Sequence, residues 1–295
     1  MKKDIDYIAG IDTLEITSTT FTEQAFDFFT HDTSRIVQRD ISAEPKYKYR
    51  TNPDKTLYDT STIDGYKAAL SHIMEVSKLQ NSVKTRIDFR FDDYCNPYED
   101  LYKINKLLLL LVAERYDIKN KYQSIDLESA KLKTLRIQNK YLEMECYNKA
   151  EEEPDSPIKC RLELRAKALY DDEDEQNKEL RELAKWLERL EQVTDKRQGT
   201  FTALIDRLND NLIERYKEHT DRGQINSTNE FITKYADFIF STPQLVDLYR
   251  RLNYKNPKAA ASKYKSSHKI EFYSLRELRD YVQQIRKAAE RFTNN

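Results

Sequence analysis

Three short segments in which apolar and ionisable residues alternate constrain the fold most. Segment 85–92 reads Thr-Arg-Ile-Asp-Phe-Arg-Phe-Asp, and segments 141–147 and 158–166 follow the same period of two. This period is typical of a strand with one buried face, because successive side chains point to opposite sides of a sheet. Each segment therefore predicts a strand with one apolar face and one face of ionisable groups.

The second face of these segments carries acids, arginines and a tyrosine. A sheet with a purely structural role usually presents Thr, Ser, Lys and Gln on its solvent side. The residues on this face are Asp88, Arg90, Asp92, Glu145, Tyr147, Arg161, Glu163 and Arg165. If the three strands are neighbours, these groups converge on one open surface. On the pattern alone, a sheet face that merely meets solvent is the more common explanation.

The connection between the second and third segments indicates how they pair. Pro154 and Pro157 interrupt the chain there, and proline is excluded from the interior of a sheet. We therefore expect 141–147 and 158–166 to form an antiparallel hairpin, so that their ionisable faces lie on the same side of the sheet.

These residue types suit chemistry at a phosphodiester. Carboxylates such as Asp88 and Glu163 are the hard oxygen ligands that Mg²⁺ and Mn²⁺ prefer. A metal ion would polarise a phosphoryl oxygen, and a nearby tyrosine hydroxyl could attack phosphorus to form a covalent phosphotyrosine. Lys149 and Arg161 could hold the non-bridging oxygens, because a guanidinium binds phosphate through two parallel hydrogen bonds.

The other patterns predict helices around this sheet. They indicate a strand at 11–17, a helix from Thr62 to about Leu79 and another after Pro97, with loops or short strands over 31–60. Beyond residue 171 the patterns indicate helices near 176–196, 201–219, 228–240, 243–252, 257–265 and 274–292. We expect an α+β fold, in which an antiparallel sheet has helices on one face and an all-helical C-terminal region follows it. The expected domains are 1–170 and 171–295.

The net charge of −1 conceals an uneven distribution along the chain. From Thr242 to Asn295 there are 12 Lys and Arg but only 5 Asp and Glu, so the basic residues concentrate at the C-terminal end. Basic and aromatic residues alternate there, which favours contact with DNA phosphates over a merely soluble basic surface. The candidate DNA-binding residues are Arg250, Arg251, Lys255, Lys258, Lys263 and Lys265.

Several other classes of protein are disfavoured. The three cysteines lack CxxC spacing and the four histidines form no HxH or HExxH pair, so we expect reduced thiols in a cytoplasmic protein and no zinc site. The longest apolar stretch, 107–113, is far shorter than a membrane span, and Met1-Lys2-Lys3 leads into acidic residues rather than a signal peptide. We therefore expect no membrane partner.

Three motifs resemble those of rolling-circle replication initiators. Residues 85–92, 141–149 (Tyr-Leu-Glu-Met-Glu-Cys-Tyr-Asn-Lys) and 161–165 (Arg-Leu-Glu-Leu-Arg) match, in order and spacing, motifs of the staphylococcal-type plasmid initiators, the Rep_trans family. Residues 161–169 are also similar to filamentous-phage gene II-type replication endonucleases. The resemblance covers roughly residues 10–170.

The resemblance implies a fold and a role for each motif residue. The fold would be an HUH-like, Rep-type nickase core without the HUH histidines. Tyr147 would be the nucleophile, and Mg²⁺ or Mn²⁺ would be held by Asp88 and Glu163, with Asp92 as a candidate third ligand. The phosphate contacts would be Lys149, Arg161 and Arg165.

The activity implied is site-specific nicking of a double-stranded origin of a plasmid or phage-like element. The enzyme would hold a 5′ phosphotyrosine, leave a 3′ hydroxyl for a host polymerase, and later transfer the strand. Its partners would be double- and single-stranded DNA at the origin, a host helicase and polymerase, and a second copy of the chain in a homodimer. Two alternatives stay open, a relaxase of a conjugative or mobilisable element and a non-catalytic DNA-binding replication accessory protein.

Overall fold

Strands from both halves of the first 170 residues build one sheet. The computed structural model describes residues 5–19, 21–25, 35–39, 46–53, 58–118, 134–167, 169, 177–268 and 271–294. Its strands are β1 (Ile8–Ser18), β2 (Arg35–Arg39), β3 (Lys46–Thr51), β4 (Ser82–Asp93), β5 (Leu135–Gln138), β6 (Leu142–Tyr147) and β7 (Cys160–Lys167). They form a seven-stranded antiparallel sheet in the order β2-β3-β1-β4-β7-β6-β5.

Helices make up most of the remaining described residues. They are α1 (Ile63–Ser77), α2 (Tyr98–Arg115), α3 (Lys149–Glu152), α4 (Lys178–Thr194), α5 (Thr200–Asp221), α6 (Thr228–Lys234), α7 (Thr242–Arg251), α8 (Pro257–Ser267) and α9 (Leu275–Asn294). The described residues from 177 onward contain helices and no strand, which confirms the α+β fold with a helical C-terminal region.

The three alternating segments are neighbouring interior strands of the sheet, β4, β7 and β6. Strand β7 lies between β4 and β6 and pairs antiparallel with both. Ile87, Phe89 and Phe91 of β4 are buried on the apolar face, as their spacing predicts. The expected hairpin of 141–147 with 158–166 is confirmed by the pairing of β6 with β7.

The apolar face of the sheet is covered by helices from both parts of the chain. The Tyr7 ring, just before β1, packs edge-on against Phe91 of β4 and against Tyr281 of α9. Helix α2 packs on β5 and β6, where the Tyr98 hydroxyl donates to the Cys146 carbonyl at 3.3 Å. The sheet and the C-terminal helices therefore share one hydrophobic cluster.

Helix ends follow their local sequence. Thr62 caps α1, because its hydroxyl accepts from the Gly65 amide at 3.1 Å. Ser241 caps α7 in the same way, and Asn256 followed by Pro257 opens α8. Among the described residues, no helix is both long and apolar enough to cross a membrane.

Strand β5 is the element that the alternation did not predict. It has only four residues, Leu135–Gln138, too few for a period of two to stand out. Its pairing with β6 explains its presence, since β6 would otherwise be an unpaired edge. Strands β2 and β3 fall in 31–60, where short strands or loops were expected.

Candidate active site

The ionisable groups of strands β4, β7 and β6 lie side by side on the face of the sheet opposite the hydrophobic cluster. Across each pair of strands, a residue of one charge mostly stands opposite a residue of the other: Asp88 with Arg165, Arg90 with Glu163, and Asp92 with Arg161. We call this set the ionic face: Asp88, Arg90, Asp92, Glu143, Glu145, Tyr147, Arg161, Glu163 and Arg165.

The ionic face is not the open surface that the sequence suggested. Asp88, Asp92 and Glu163 are 1%, 0% and 2% exposed, and Arg161 is 4% exposed. Charges buried to this extent require partners, because an unpaired ion in a protein interior is strongly destabilising. The side chains meet this requirement by pairing with one another, both across neighbouring strands and along the same strand.

Tyr147 ends strand β6 and points onto the ionic face. Its hydroxyl donates to Glu163 Oε1 on β7 at 2.6 Å. Burial and the Glu163 carboxylate raise the pKa of the phenol well above its usual value, whereas the neighbouring Arg161 guanidinium lowers it. The arrangement joins a potential nucleophile directly to a proton acceptor.

Arg161 is held from two sides. Its Nε and Nη2 donate to both oxygens of Asp92, at 2.6 and 3.0 Å, and its Nη1 donates to Asp12 Oδ1 at 2.7 Å. Asp92 also contacts Arg90. Such a two-pronged pair orients the guanidinium plane as well as neutralising it.

Asp12 is a residue of the site that the sequence reasoning missed. The register of β1 against β4 shifts between Ile11 and Thr13, so the strand carries an extra residue there. A bulge of this kind redirects a side chain, and Asp12 contacts Arg161, two strands away. The signal in the sequence was weak, because Asp12 lies inside a segment that otherwise reads as a regular strand.

Arg165 lies among four carboxylates. It contacts Glu143 and Glu163 closely, Glu145 Oε2 at 2.5 Å, and Asp88 Oδ2 at 3.4 Å. The contact of Arg165 with phosphate stays a prediction. Its guanidinium occupies the position of a cation between acids on all three strands.

Asp88 is the most strongly perturbed carboxyl group of the ionic face. Burial raises its pKa to about 6, although Arg86, which holds it with hydrogen bonds of 2.7 and 2.5 Å, and Arg165 both lower it. Glu163 adds a further increase in the pKa through charge repulsion, so the two proposed metal ligands lie close enough to interact.

Two of the three predicted metal ligands lie together, and the third lies apart from them. Asp88 and Glu163 supply hard oxygen donors and both contact one cation, the Arg165 guanidinium. Asp92 lies four residues beyond Asp88 on β4, roughly 13 Å along the strand at about 3.3 Å per residue, and pairs with Arg161 instead. Within the described part of the chain, no three His, Cys, Asp or Glu residues are arranged to hold a metal.

Lys149 lies close to the tyrosine, at the start of α3. Its Nζ is 5.9 Å from the centre of the Tyr147 ring and pairs with Glu152 and Glu153, each at 2.8 Å. Asn148 between them caps α3. Both partner acids are largely exposed, so the lysine can exchange them for another anion at small cost.

The basic C-terminal residues fall into two groups. Arg250 and Arg251 on α7 are paired with acids, namely Asp247 for both, with Asp210 and Asp206 also contacting Arg251. The lysines, in contrast, project from the exposed side of α8 and from the turn before it: Lys255, Lys258, Lys263 and Lys265.

Neither a scan against protein-family models nor a search of curated proteins finds a match to this chain.

Proposed function

We propose that this chain is a tyrosine-dependent DNA nickase that initiates rolling-circle replication of a plasmid or phage-like element in the cytoplasm. The observation that carries the proposal is the hydrogen bond from the Tyr147 hydroxyl to Glu163, beside the clamped guanidinium of Arg161. It supplies a nucleophile, a base and an anion-binding group within one patch of the sheet. The resemblance of the three motifs to rolling-circle initiators, which implies a Rep-type nickase core, points to the same three residues.

The chemical step follows from these contacts. The phenol has a raised pKa, so it is protonated at neutral pH and must lose its proton as it attacks. Glu163 accepts that proton while the Tyr147 oxygen forms a bond to phosphorus. The bond from phosphorus to the 3′ oxygen breaks, and that oxygen takes a proton from solvent. The products are a 5′ phosphotyrosine and a free 3′ hydroxyl.

Charge on the phosphate is balanced by three basic groups. Arg161 is oriented by Asp92 and Asp12, which leaves the guanidinium fixed before substrate arrives. Lys149 can release its exposed acids to contact a phosphate oxygen. Arg165, the third proposed phosphate contact, also holds Glu163 and its neighbours in place.

Asp88 and Glu163 are the residues that would hold Mg²⁺ or Mn²⁺. Bound there, the ion would polarise a phosphoryl oxygen and offset the charge that develops on it. A divalent ion would compete with the Arg165 guanidinium for these two carboxylates. The proposal therefore predicts weak metal binding in the absence of DNA.

A covalent-capture assay tests the proposed function. Protein is mixed with supercoiled DNA of its replicon and Mn²⁺, denatured, and examined for protein-linked nicked circles. Tyr147→Phe removes the hydroxyl and should abolish capture. The matched control is Tyr141→Phe, since Tyr141 lies just before the opposite end of β6, 51% exposed and roughly 20 Å away at about 3.3 Å per residue. The control should capture DNA like the wild type.

One observation favours a second candidate function, a DNA-binding accessory protein without nicking activity. The acids and bases of the ionic face neutralise one another in pairs, as expected of a purely structural network. This candidate predicts binding without cleavage, and Tyr147→Phe would then leave function intact. A relaxase would share the nicking chemistry, and it differs in whether the DNA that it nicks is an origin of transfer.

A further inference from the structure

Helices α6, α7 and α8 form a three-helix unit, and α7 also packs against α5. The Tyr249 hydroxyl of α7 donates to Asn229 of α6 at 2.9 Å, and the Tyr264 hydroxyl of α8 lies 2.9 Å from the Thr233 hydroxyl of α6. Helices α7 and α8 also contact each other across a turn of five residues, 252–256. Two helices joined by a short turn and supported by a third are the framework of helix-turn-helix proteins.

Helix α8 and the turn before it lie in a stretch without acidic residues. Between residues 248 and 270 there are seven Lys and Arg and no Asp or Glu. The two arginines at its start are neutralised by acids of α5 and α7. The remaining five basic residues are Lys255 in the turn before α8, Lys258, Lys263 and Lys265 on α8, and Lys269 beyond it in the sequence.

Helix α8 presents two different sides. Ala261 and Tyr264 are buried against the unit. At about 100° per residue, the opposite side has small residues along its middle and lysines along both margins. Lys258 and Lys265 form one margin and Lys263 the other; the middle consists of Ala259, Ser262 and Ser266.

This distribution is the one that a helix needs in order to approach a nucleic acid closely. Small residues in the middle let the helix axis come near the bases, while lysines on both margins reach the phosphates that border a groove. The major groove of DNA is about 12 Å wide and admits one helix. Helix α8 has 11 residues, so its length of roughly 16 Å crosses such a groove.

We propose that α8 binds in the major groove of duplex DNA, with Lys258, Lys263 and Lys265 on the flanking phosphates. The inference rests on the proposed function for its choice of DNA as ligand, and it concerns the duplex rather than the nicked strand. Arg250 and Arg251 on α7 pair with Asp247 and the acids of α5, and the inference concerns the lysines of α8 alone.

The test measures binding of the full chain to a fluorescent 30-base-pair duplex of mixed sequence over a range of salt concentrations. Lys258→Gln with Lys263→Gln should weaken binding at least about tenfold at low salt and reduce the slope of log affinity against log salt by about two. The charge-matched control is Lys217→Gln with Lys287→Gln, which lie exposed on α5 and α9. It should stay within about twofold of the wild type.

A neutral substitution separates groove insertion from general electrostatic attraction. Ser262→Tyr leaves the charge unchanged but places a large side chain in the middle of the exposed side, so it should also weaken duplex binding about tenfold. The inference would be overturned if the α8 lysine pair and the control lysine pair lost equal amounts of duplex affinity. Wild-type affinity in Ser262→Tyr would also overturn it, as would the absence of duplex binding by the wild type.

The outcome is independent of the nicking step. If Tyr147→Phe loses covalent capture but the α8 variants bind duplex normally, the nickase stands and the groove proposal fails. If no DNA is captured by any protein while the α8 variants lose duplex affinity, the groove proposal stands and the nickase fails.

Discussion

At the scale of single residues, Arg161 shows how a buried charge is kept in one orientation. Asp92 takes two of its N–H groups and Asp12 takes a third, so the guanidinium has fixed acceptors on β4 and β1. The same guanidinium lowers the pKa of Tyr147, whereas burial and Glu163 raise it. Under the proposed function, the reactivity of the Tyr147 phenol depends on how firmly the two aspartates hold Arg161.

Replacement of Asp12 tests this positioning role. Asp12→Ala removes one acceptor of Arg161 and should slow single-turnover DNA capture roughly tenfold, which corresponds to about 1.4 kcal/mol. Asp12→Asn keeps an oxygen acceptor and should restore most of the rate. A rate in Asp12→Ala equal to that of the wild type would show that Asp92 alone holds the guanidinium.

The pKa of Asp88 predicts a change of stability with pH. Burial raises this pKa to about 6 in the folded protein, against about 3.9 in an unfolded chain, so the folded state binds the proton more tightly. The stability that Asp88 contributes through this tighter proton binding is therefore fully present below pH 4. It is lost as the pH rises through about 6. Linkage sets the loss in unfolding free energy at about 3 kcal/mol.

Urea unfolding of the wild type and Asp88→Asn at several pH values isolates this effect. The difference in unfolding free energy between the two proteins should move in favour of the variant between pH 4 and 7, because the amide does not titrate. A difference that is constant across this range would contradict the assigned pKa.

At the scale of elements, a buried chain of hydrogen bonds joins α9 to the sheet and to α2. The hydroxyls of Tyr7 and Tyr281 are 2.5 Å apart, and Tyr281 donates to Asn105 Oδ1 at 2.7 Å. Both tyrosines are almost completely buried, so each depends on the other to satisfy its hydroxyl. This chain connects the first described strand with the last helix.

Tyr281→Phe keeps the ring and removes the link. It leaves the Asn105 carbonyl without its donor and should reduce the unfolding free energy by about 1–3 kcal/mol, measured by urea titration. The control is Tyr254→Phe, at a tyrosine that is 39% exposed, and it should change stability by less than about 0.5 kcal/mol. Equal effects in the two variants would mean that the buried hydroxyls contribute nothing specific.

The elements differ in how well the sequence predicts them. Periodic patterns predict strands β4, β6 and β7, and helices α1 and α7 also have clear N-caps. The structure has all five elements within a few residues of the expected bounds. Their pairing followed from the hairpin and its prolines. Strand β5 was not predicted, because four residues are too few to show a period of two. Its strand conformation is stabilised by pairing with β6.

The candidate site was predictable only in part, for a physical reason. Alternation shows which side chains share a face, and this correctly grouped Asp88, Tyr147 and Glu163. It cannot show the register between strands, which decides that Arg165 meets four acids and that Asp92 meets Arg161. Nor can it show a bulge, so the contribution of Asp12 was invisible. The ionic face is buried together with these pairings, and alternation predicted neither the pairings nor the burial.

At the scale of the whole molecule, chemistry and recognition are assigned to different parts of the chain. The ionic face lies on the sheet opposite the hydrophobic cluster, whereas the lysines of α8 belong to the helical region. Helix α9 contacts β1, and Arg291 on it donates to the Tyr7 carbonyl at 2.7 Å. The helices after residue 177 therefore complete the core of the sheet as well as carrying the basic surface.

The proposed nicking function depends most on the identity of the nucleophile, and peptide mapping of the captured protein tests that identity directly. Cleavage after Lys140 and Lys149 yields a peptide, 141–149, that contains both Tyr141 and Tyr147. After nuclease digestion of the linked DNA, fragmentation in a mass spectrometer should place the residual nucleotide on Tyr147. A nucleotide on Tyr141 or on a tyrosine outside this peptide would contradict the role of Tyr147 as the nucleophile. The absence of any adduct would contradict it as well.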